Sequence, residues 1–361
     1  MGGDVYLLEE NAIEVLSYWG LNPGDWQVAG VITSGLESIA RPLLEIGDQR
    51  YVLRRQPPDL TENDTLFRHA FMRHLAARDL PVPAFLPRPE GHTYAVVNDG
   101  IYELQTWRVG NRYATGDPEE DDMLEAAAAT LGRLHQASAD FQWQHHTRSD
   151  DRTGAALAQA YTSLIREQAE RGALPESIAA GLARVADACD ERLSAAVEAL
   201  EAPPRPPELH IHGDYQAHNL AFGPQGVAAL YDFDAARWER RLDELAYSLL
   251  LFAGVRWDDP PTITPPLVDD GLDVLRAHRY LSAYGREAPP AEGEARLLAD
   301  ALTLTFPIVF ANAIAEDLVY PDDYDGPPDE EDALARLHWA DTFWLWLDRY
   351  RDTLAETWEH A

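Results

Sequence analysis

The sequence contains no lysine: all 29 of its basic residues are arginines. That absence excludes a Gly-x-x-x-x-Gly-Lys phosphate loop, so any cation that grips phosphate must be arginine. Basic residues are also few beside 62 acidic ones, giving a net charge of −33. Nucleic-acid binding rests on Lys and Arg against phosphates, so no nucleic-acid partner is expected. Acidity of this degree is more often a solvation strategy, and a salt-rich cytoplasm is one setting that favours it. The single cysteine, Cys189, cannot form an internal disulfide and reads as a half-buried structural thiol in an Ala- and Arg-rich helix. No apolar run approaches the roughly 18 residues a membrane helix needs. The first residues show no basic region followed by an apolar stretch. A cytoplasmic enzyme without a membrane partner is the expectation.

What is present is enough for a real core: 361 residues, 46% of them hydrophobic, at the border between one domain and two. Residues 9–19 read as a short amphipathic helix. Val28–Thr33, Ala40–Ile46 and Arg50–Arg55 read as strands separated by Ser34-Gly35 and Gly47-Asp48 turns. Thr61–Arg78 is a helix with Thr61 or Asn63 as its cap. Thr93–Asn98 and Ile101–Thr106 follow as strands around an Asp99-Gly100 turn. This small α+β region spans residues 1–106, and 107–110 would join it to a mainly helical region over 111–361. Within the latter, Glu119–Ala139, 154–171 and 175–201 read as helices, with a helical insert at about 150–205. Leu209–Phe222 and Val227–Phe233 form a strand–loop–strand unit, and Arg241–Phe252, Leu267–Tyr284, Glu292–Leu318 and Asp332–Trp358 are helices again.

Chemistry concentrates in His210-Ile211-His212-Gly213-Asp214-Tyr215-Gln216-Ala217-His218-Asn219, followed by Asp232-Phe233-Asp234. Three acids near strand ends would need an evident cation if their role were purely structural. Two carboxylates and an amide oxygen in one loop pair suit magnesium, a hard cation that keeps water and phosphate in its shell. The spacing also separates two tasks: one carboxylate can take a hydroxyl proton while the other groups hold metal.

His-Gly-Asp-x-x-x-x-Asn with a later strand-end Asp resembles the catalytic and metal loops of the aminoglycoside phosphotransferase and choline kinase superfamily, type II homoserine kinase-like members included. That resemblance implies a protein-kinase-like α+β fold with two lobes and transfer of the γ-phosphoryl group of ATP or GTP to a small-molecule hydroxyl. It implies Asp214 as catalytic base, His212 as a brace for its loop, and Asn219 and Asp232 as magnesium ligands. Ser34 and Gly35 would lie in the nucleotide-positioning turn, and Arg54 would stand in the place of the phosphate-contacting lysine, which a guanidinium can fill bidentately. Gln105 and Trp107 would offer backbone groups to adenine. The helix position that in relatives supplies a glutamate to the cation is here Arg68, with Glu62 a possible substitute. The loop-supporting acid is Asp243 or Glu244. Asp234, Trp257, Asp258, Glu316 and Asp317 fall where relatives build the acceptor pocket; acids there suit a cationic acceptor, and in so acidic a chain they equally suit solvated surface.

Two other readings stand beside this one. His210, His212 and Asp214, with His218 nearby, also form a pattern suited to zinc and a metal-dependent hydrolase. A catalytically inactive, kinase-like nucleotide-binding protein is the other. His135 is expected to pack against the catalytic loop without chemistry, His145-His146 to be a solvated loop pair, and Trp257, Trp339, Trp344, Trp346 and Trp358 to be core.

Overall fold

The alternation of apolar and polar residues over 26–55 and 95–106 produces an antiparallel sheet, the first element of the computed structural model, which describes residues 12–34, 39–143, 154–257, 267–323 and 329–361. Its strands are β1 (Trp26–Ser34), β2 (Ile39–Ile46), β3 (Gln49–Arg55), β4 (Ala95–Val97) and β5 (Gly100–Thr106), in the order β1-β2-β3-β5-β4. A helix over 12–17 (α1) places Ala12, Val15 and Leu16 against Leu44, Leu53, Val97 and Leu104 of the sheet. Helix α2 (Glu62–Ala76) starts at Thr61, whose side chain and that of Asp64 cap each other's backbone N–H, a capping box. It buries Phe67, Phe71, Met72 and Leu75.

The β4–β5 turn lies one residue earlier than the sequence suggests. Val97 pairs with Gly100, so Asn98 and Asp99 are the two central residues, with φ of 47° and 62°. Both tolerate the left-handed region that such a turn demands. Gly100 is instead the site of close approach: a Cβ there would sit 2.8 Å from Arg55 Nε.

The described residues divide into two compact units. One comprises residues up to Gly110 with Gln142, Trp143 and Ala228–Tyr231; the other comprises Asn111–Phe141, 154–227 and Asp232–Ala361. The second contains helices α3 (Glu120–Ser138), α4 (Gly154–Glu170) and α5 (Glu176–Glu201). Strands β6 (Glu208–Ile211), β7 (Leu220–Gly223), β8 (Gly226–Leu230, of which Ala228–Leu230 count with the first unit) and β9 (Arg237–Arg240) come next along the chain, then α6 (Arg241–Gly254), α7 (Val274–Glu287), α8 (Leu298–Val309), α9 (Glu316–Val319) and α10 (Glu330–Glu359). β9 is absent from the sequence reading, because Arg-Trp-Glu-Arg carries no alternating apolar face. It is a strand because it pairs antiparallel with β6, Ile211 opposite Arg237.

The expected helix over Glu292–Leu318 is broken. A 3-10 turn precedes α8, and a π-helical turn at Phe310–Ile314 separates it from α9. Pro307 lies inside α8 and lacks the N–H that an α-helix would use there. Ala295–Ile314 also corrects the expectation about apolar runs. These 20 residues are long and apolar enough to cross a membrane, yet 72% of the segment's most apolar window is buried within the fold. Phe306 of α8 stacks on Phe343 of α10 at 4.6 Å between ring centroids, as a core helix does. Trp257, Trp339, Trp344, Trp346 and Trp358 are all buried. Cys189 is fully buried rather than half-buried, and burial pushes its thiol up to about 12.

Candidate active site

Strand β6 delivers His212, Gly213 and Asp214 into a loop that is fixed from three sides. Gly213 has φ +85°, and a Cβ added there would lie 2.1 Å from the carbonyl oxygen of Ala235 and 2.6 Å from an Arg237 guanidinium nitrogen. Only glycine lets the 212–214 backbone lie this close to the 232–237 segment. Beneath the loop, Glu244 of α6 accepts the N–H of Gly213 at 2.5 Å and that of His212 at 3.2 Å. The Glu244 carboxylate is itself held by His135 Nε2 at 2.8 Å, and the other nitrogen of His135 meets the Tyr284 hydroxyl. Of the two candidate loop-supporting acids, Glu244 therefore does this work, while Asp243 pairs with Arg240 at 2.9 Å. His212 is fully buried, and its Nδ1 accepts the Asp214 N–H at 3.2 Å.

The Asp214 carboxylate is oriented by three donors. Oδ1 accepts from Gln216 Nε2 at 2.8 Å and from the Tyr247 hydroxyl at 2.7 Å, and Oδ2 accepts from Asn219 Nδ2 at 2.8 Å. Asn219 Nδ2 also donates to the Asp214 carbonyl at 2.8 Å. Two acceptors on one side fix the amide's orientation: its nitrogen faces Asp214, so its oxygen faces away and could serve a cation. Asp232 has φ +62°, a left-handed conformation that costs about 1–3 kcal/mol and concentrates at functional sites. The Phe233 ring anchors that segment, buried and 4.4 Å from the ring of His212. The donor set of Asn219 oxygen and Asp232 carboxylate is all hard oxygen and fits magnesium.

The imidazoles do not form a zinc set. His210 lies between Phe141 and Trp238, His212 against Tyr215 and Phe233, and His218 against Trp257. Among the described residues no cluster of three or more His, Cys, Asp or Glu could hold a metal. Burial lowers His210 to about 4.

In the first unit, Arg54 of β3 stands opposite Glu103 of β5, its guanidinium 3.9 Å from the carboxylate. Glu103 is fully buried and also meets Arg68 at 2.6 Å, His69 at 2.8 Å and the Gln105 side-chain amide. Burial pushes its carboxyl upward, but Arg68 and His69 outweigh this and hold it at about 2. Glu62 is not the partner of Arg54 as the sequence suggested. It accepts the Tyr94 hydroxyl at 2.7 Å on the surface, and the acid comes from the neighbouring strand.

Other expectations change. The Trp107 N–H is not offered to a base: it donates to the Arg50 carbonyl at 2.8 Å, extending the β3–β5 ladder. Gln105 pairs with Val52 in the same ladder. Trp257 is 3% exposed with its indole N–H on the Leu251 carbonyl, which makes it a packing residue. The carboxylate of Asp317 is committed to Arg336. Asp234 is half-buried two residues after Asp232, and Glu316 opens α9. The side chain of Ser34, Gly35, Asp258 and His145-His146 lie outside the described residues.

Gly213, Gln216, Tyr247 and Glu103 went unrecognised as site residues. Glu103 lies opposite Arg54 only through the β3–β5 register, which the sequence does not display. Tyr247 lies 33 residues from the carboxylate it contacts, and nothing local marks it.

Solved structures share this fold. An aminoglycoside phosphotransferase from Alicyclobacillus acidocaldarius superposes with a TM-score of 0.62 at 17% identity, covering 96% of both chains. A choline kinase from Cryptosporidium parvum gives 0.60 at 13% identity, covering 98% of this chain and 99% of that one. An amicoumacin kinase in complex with AMP-PNP, Ca2+ and Ami gives 0.59 at 12%, covering 98% and 93%. No curated protein matches the chain in sequence. The profile of the APH phosphotransferase enzyme family matches residues 34–299, and the chain belongs to that family: it is a small-molecule phosphotransferase of protein-kinase-like fold, with a hydroxyl as acceptor.

Proposed function

We propose that this protein is an ATP- and magnesium-dependent kinase that phosphorylates a hydroxyl of a small amine-bearing acceptor. The observation that carries the reading is the Asp214–Asn219 pair, in which the amide nitrogen orients the carboxylate and leaves the amide oxygen facing away from it. Asp214 would accept the acceptor's hydroxyl proton as transfer proceeds, oriented by Asn219. Asn219 and Asp232 would hold magnesium, which when bound neutralises charge on the nucleotide phosphates. Arg54, buried beside Glu103, would contact phosphate oxygens in place of a lysine. His212 would keep the loop in shape through the Asp214 N–H. The similar proteins named for amicoumacin, choline and aminopropanol support an amine-bearing alcohol, as does the net charge of −33.

The test is a coupled assay with magnesium and ATP or GTP over choline, ethanolamine, 1-amino-2-propanol, homoserine and kanamycin. Turnover on one or more acceptors, lost by at least a hundredfold in Asp214→Asn, is expected. Unchanged turnover in Asp214→Asn would remove the base assignment, and nucleotide binding without turnover on any acceptor would favour an inactive binding protein.

A further inference from the structure

The three donors on Asp214 use its lone pairs unequally. A carboxylate offers about four acceptor positions, two on each oxygen. Oδ1 accepts from both Gln216 and Tyr247, at 2.8 and 2.7 Å, whereas among the described residues Oδ2 accepts a side-chain hydrogen bond only from Asn219, at 2.8 Å. One position therefore remains, and it is on Oδ2. We propose that Tyr247 is a positioning residue for phosphoryl transfer: with Gln216 it saturates Oδ1, so that the acceptor hydroxyl is received by Oδ2 alone.

This rests on the reading of Asp214 as base and makes it specific to one atom. In the step, the acceptor O–H bond breaks as its oxygen bonds to the γ-phosphorus. The bond from that phosphorus to the β–γ bridging oxygen breaks, the nucleoside diphosphate leaves, and the proton passes to Oδ2 and then to solvent. Tyr247 gives up no proton. Its hydroxyl holds the carboxylate plane, and α6, anchored through Glu244 to the backbone of the same loop, holds the tyrosine. Burial and the adjacent Asp214 charge keep the phenol far above its ordinary value, so it remains a donor across the working pH range. Without it the carboxylate could rotate about its Cβ–Cγ bond and present either oxygen. A misplacement of about 1 Å can cost roughly a hundredfold in rate.

The test compares the full-length protein with Tyr247→Phe, which keeps the ring and removes the donor, and with Gln216→Leu. Phosphoryl transfer from magnesium-ATP is followed to the best acceptor of the panel above and to water, so that a rate exists whichever acceptor is preferred. Expected is a fall in kcat of about tenfold or more in Tyr247→Phe, with KM for nucleotide and acceptor within twofold of the parent and an unchanged melting temperature. A kcat within twofold of the parent overturns the proposal. So does a joint loss of kcat, KM and melting temperature that Gln216→Leu does not reproduce, because that pattern marks packing alone. Asp214→Asn, run in parallel, separates the layers. If it is inactive while Tyr247→Phe is unimpaired, only the positioning role fails; if it is active, the base reading fails and this inference with it.

Discussion

Replacing Gly213 by alanine tests whether the loop that carries Asp214 is held by close backbone contact. Two costs add. An L-residue in the left-handed region costs roughly 1–2 kcal/mol, and φ at Gly213 is +85°. The new methyl would also meet the Ala235 carbonyl oxygen at 2.1 Å and its carbon at 2.6 Å. Both are backbone atoms that cannot swing aside, so an overpacking cost of about 1–3 kcal/mol applies. The stiffer unfolded chain returns about 0.4–1 kcal/mol, leaving a net destabilisation of about 1–5 kcal/mol. Gly172→Ala is the internal control: its φ is +72° and nothing lies within 4 Å of the added Cβ, so it carries the dihedral cost alone, about 1 kcal/mol. Equilibrium denaturation of both variants, with equal slopes, gives the difference directly. Turnover should fall by about a hundredfold in Gly213→Ala, since relieving the contact displaces Asp214. If the two variants agree within about 0.5 kcal/mol, the usual limit of independent behaviour, and Gly213→Ala turns over normally, the argument from close approach is wrong.

Glu103→Gln keeps shape but removes the charge facing Arg68 and Arg54; a loss of about 3–5 kcal/mol is expected, as for a broken buried pair, together with a raised KM for nucleotide. A denaturation midpoint and KM both unchanged would show that the carboxylate neither stabilises the first unit nor orients Arg54. Acidification should weaken the fold in two windows. His210 is held at about 4 against an ordinary value near 6.5, so the unfolded chain takes up that proton first and stability is lost as pH falls from about 6.5 to about 4. His210→Phe should flatten the slope there by up to one proton, about 1.4 kcal/mol per pH unit, and an identical slope in denaturation at stepped pH refutes it. Glu103, held at about 2, contributes stability that is full above about 4.5 and lost toward pH 2; Glu103→Gln should lose less than the parent over that lower window.

The candidate site was legible where its chemistry is local in the chain. Asp214, Asn219 and Asp232 stand out in the sequence because the proposed roles of base and oxygen ligands call for fixed spacings on a loop and a strand end. The groups that orient them do not. Tyr247 reaches Asp214 from α6, and Glu103 reaches Arg54 across a ladder whose register only the fold sets. Fold legibility divides the same way. Helices with a strong period and a cap, such as the capping box opening α2, read clearly. β9 is set by its partner strand and the π-helical turn follows a helix that contains Pro307; neither leaves a periodic signal.

Placing the acid on β5 rather than on a helix has a mechanical consequence. In protein kinases the phosphate-contacting lysine pairs with a helix-borne glutamate, and moving that helix switches the enzyme. Here Arg54 and Glu103 sit on neighbouring strands of one sheet, joined rung by rung, while Arg68 is the member that rides on α2. Displacing α2 would pull Arg68 away and leave Arg54 beside its acid. A displacement of α2, the lever that turns protein kinases off, would therefore leave the Arg54–Glu103 pair in place.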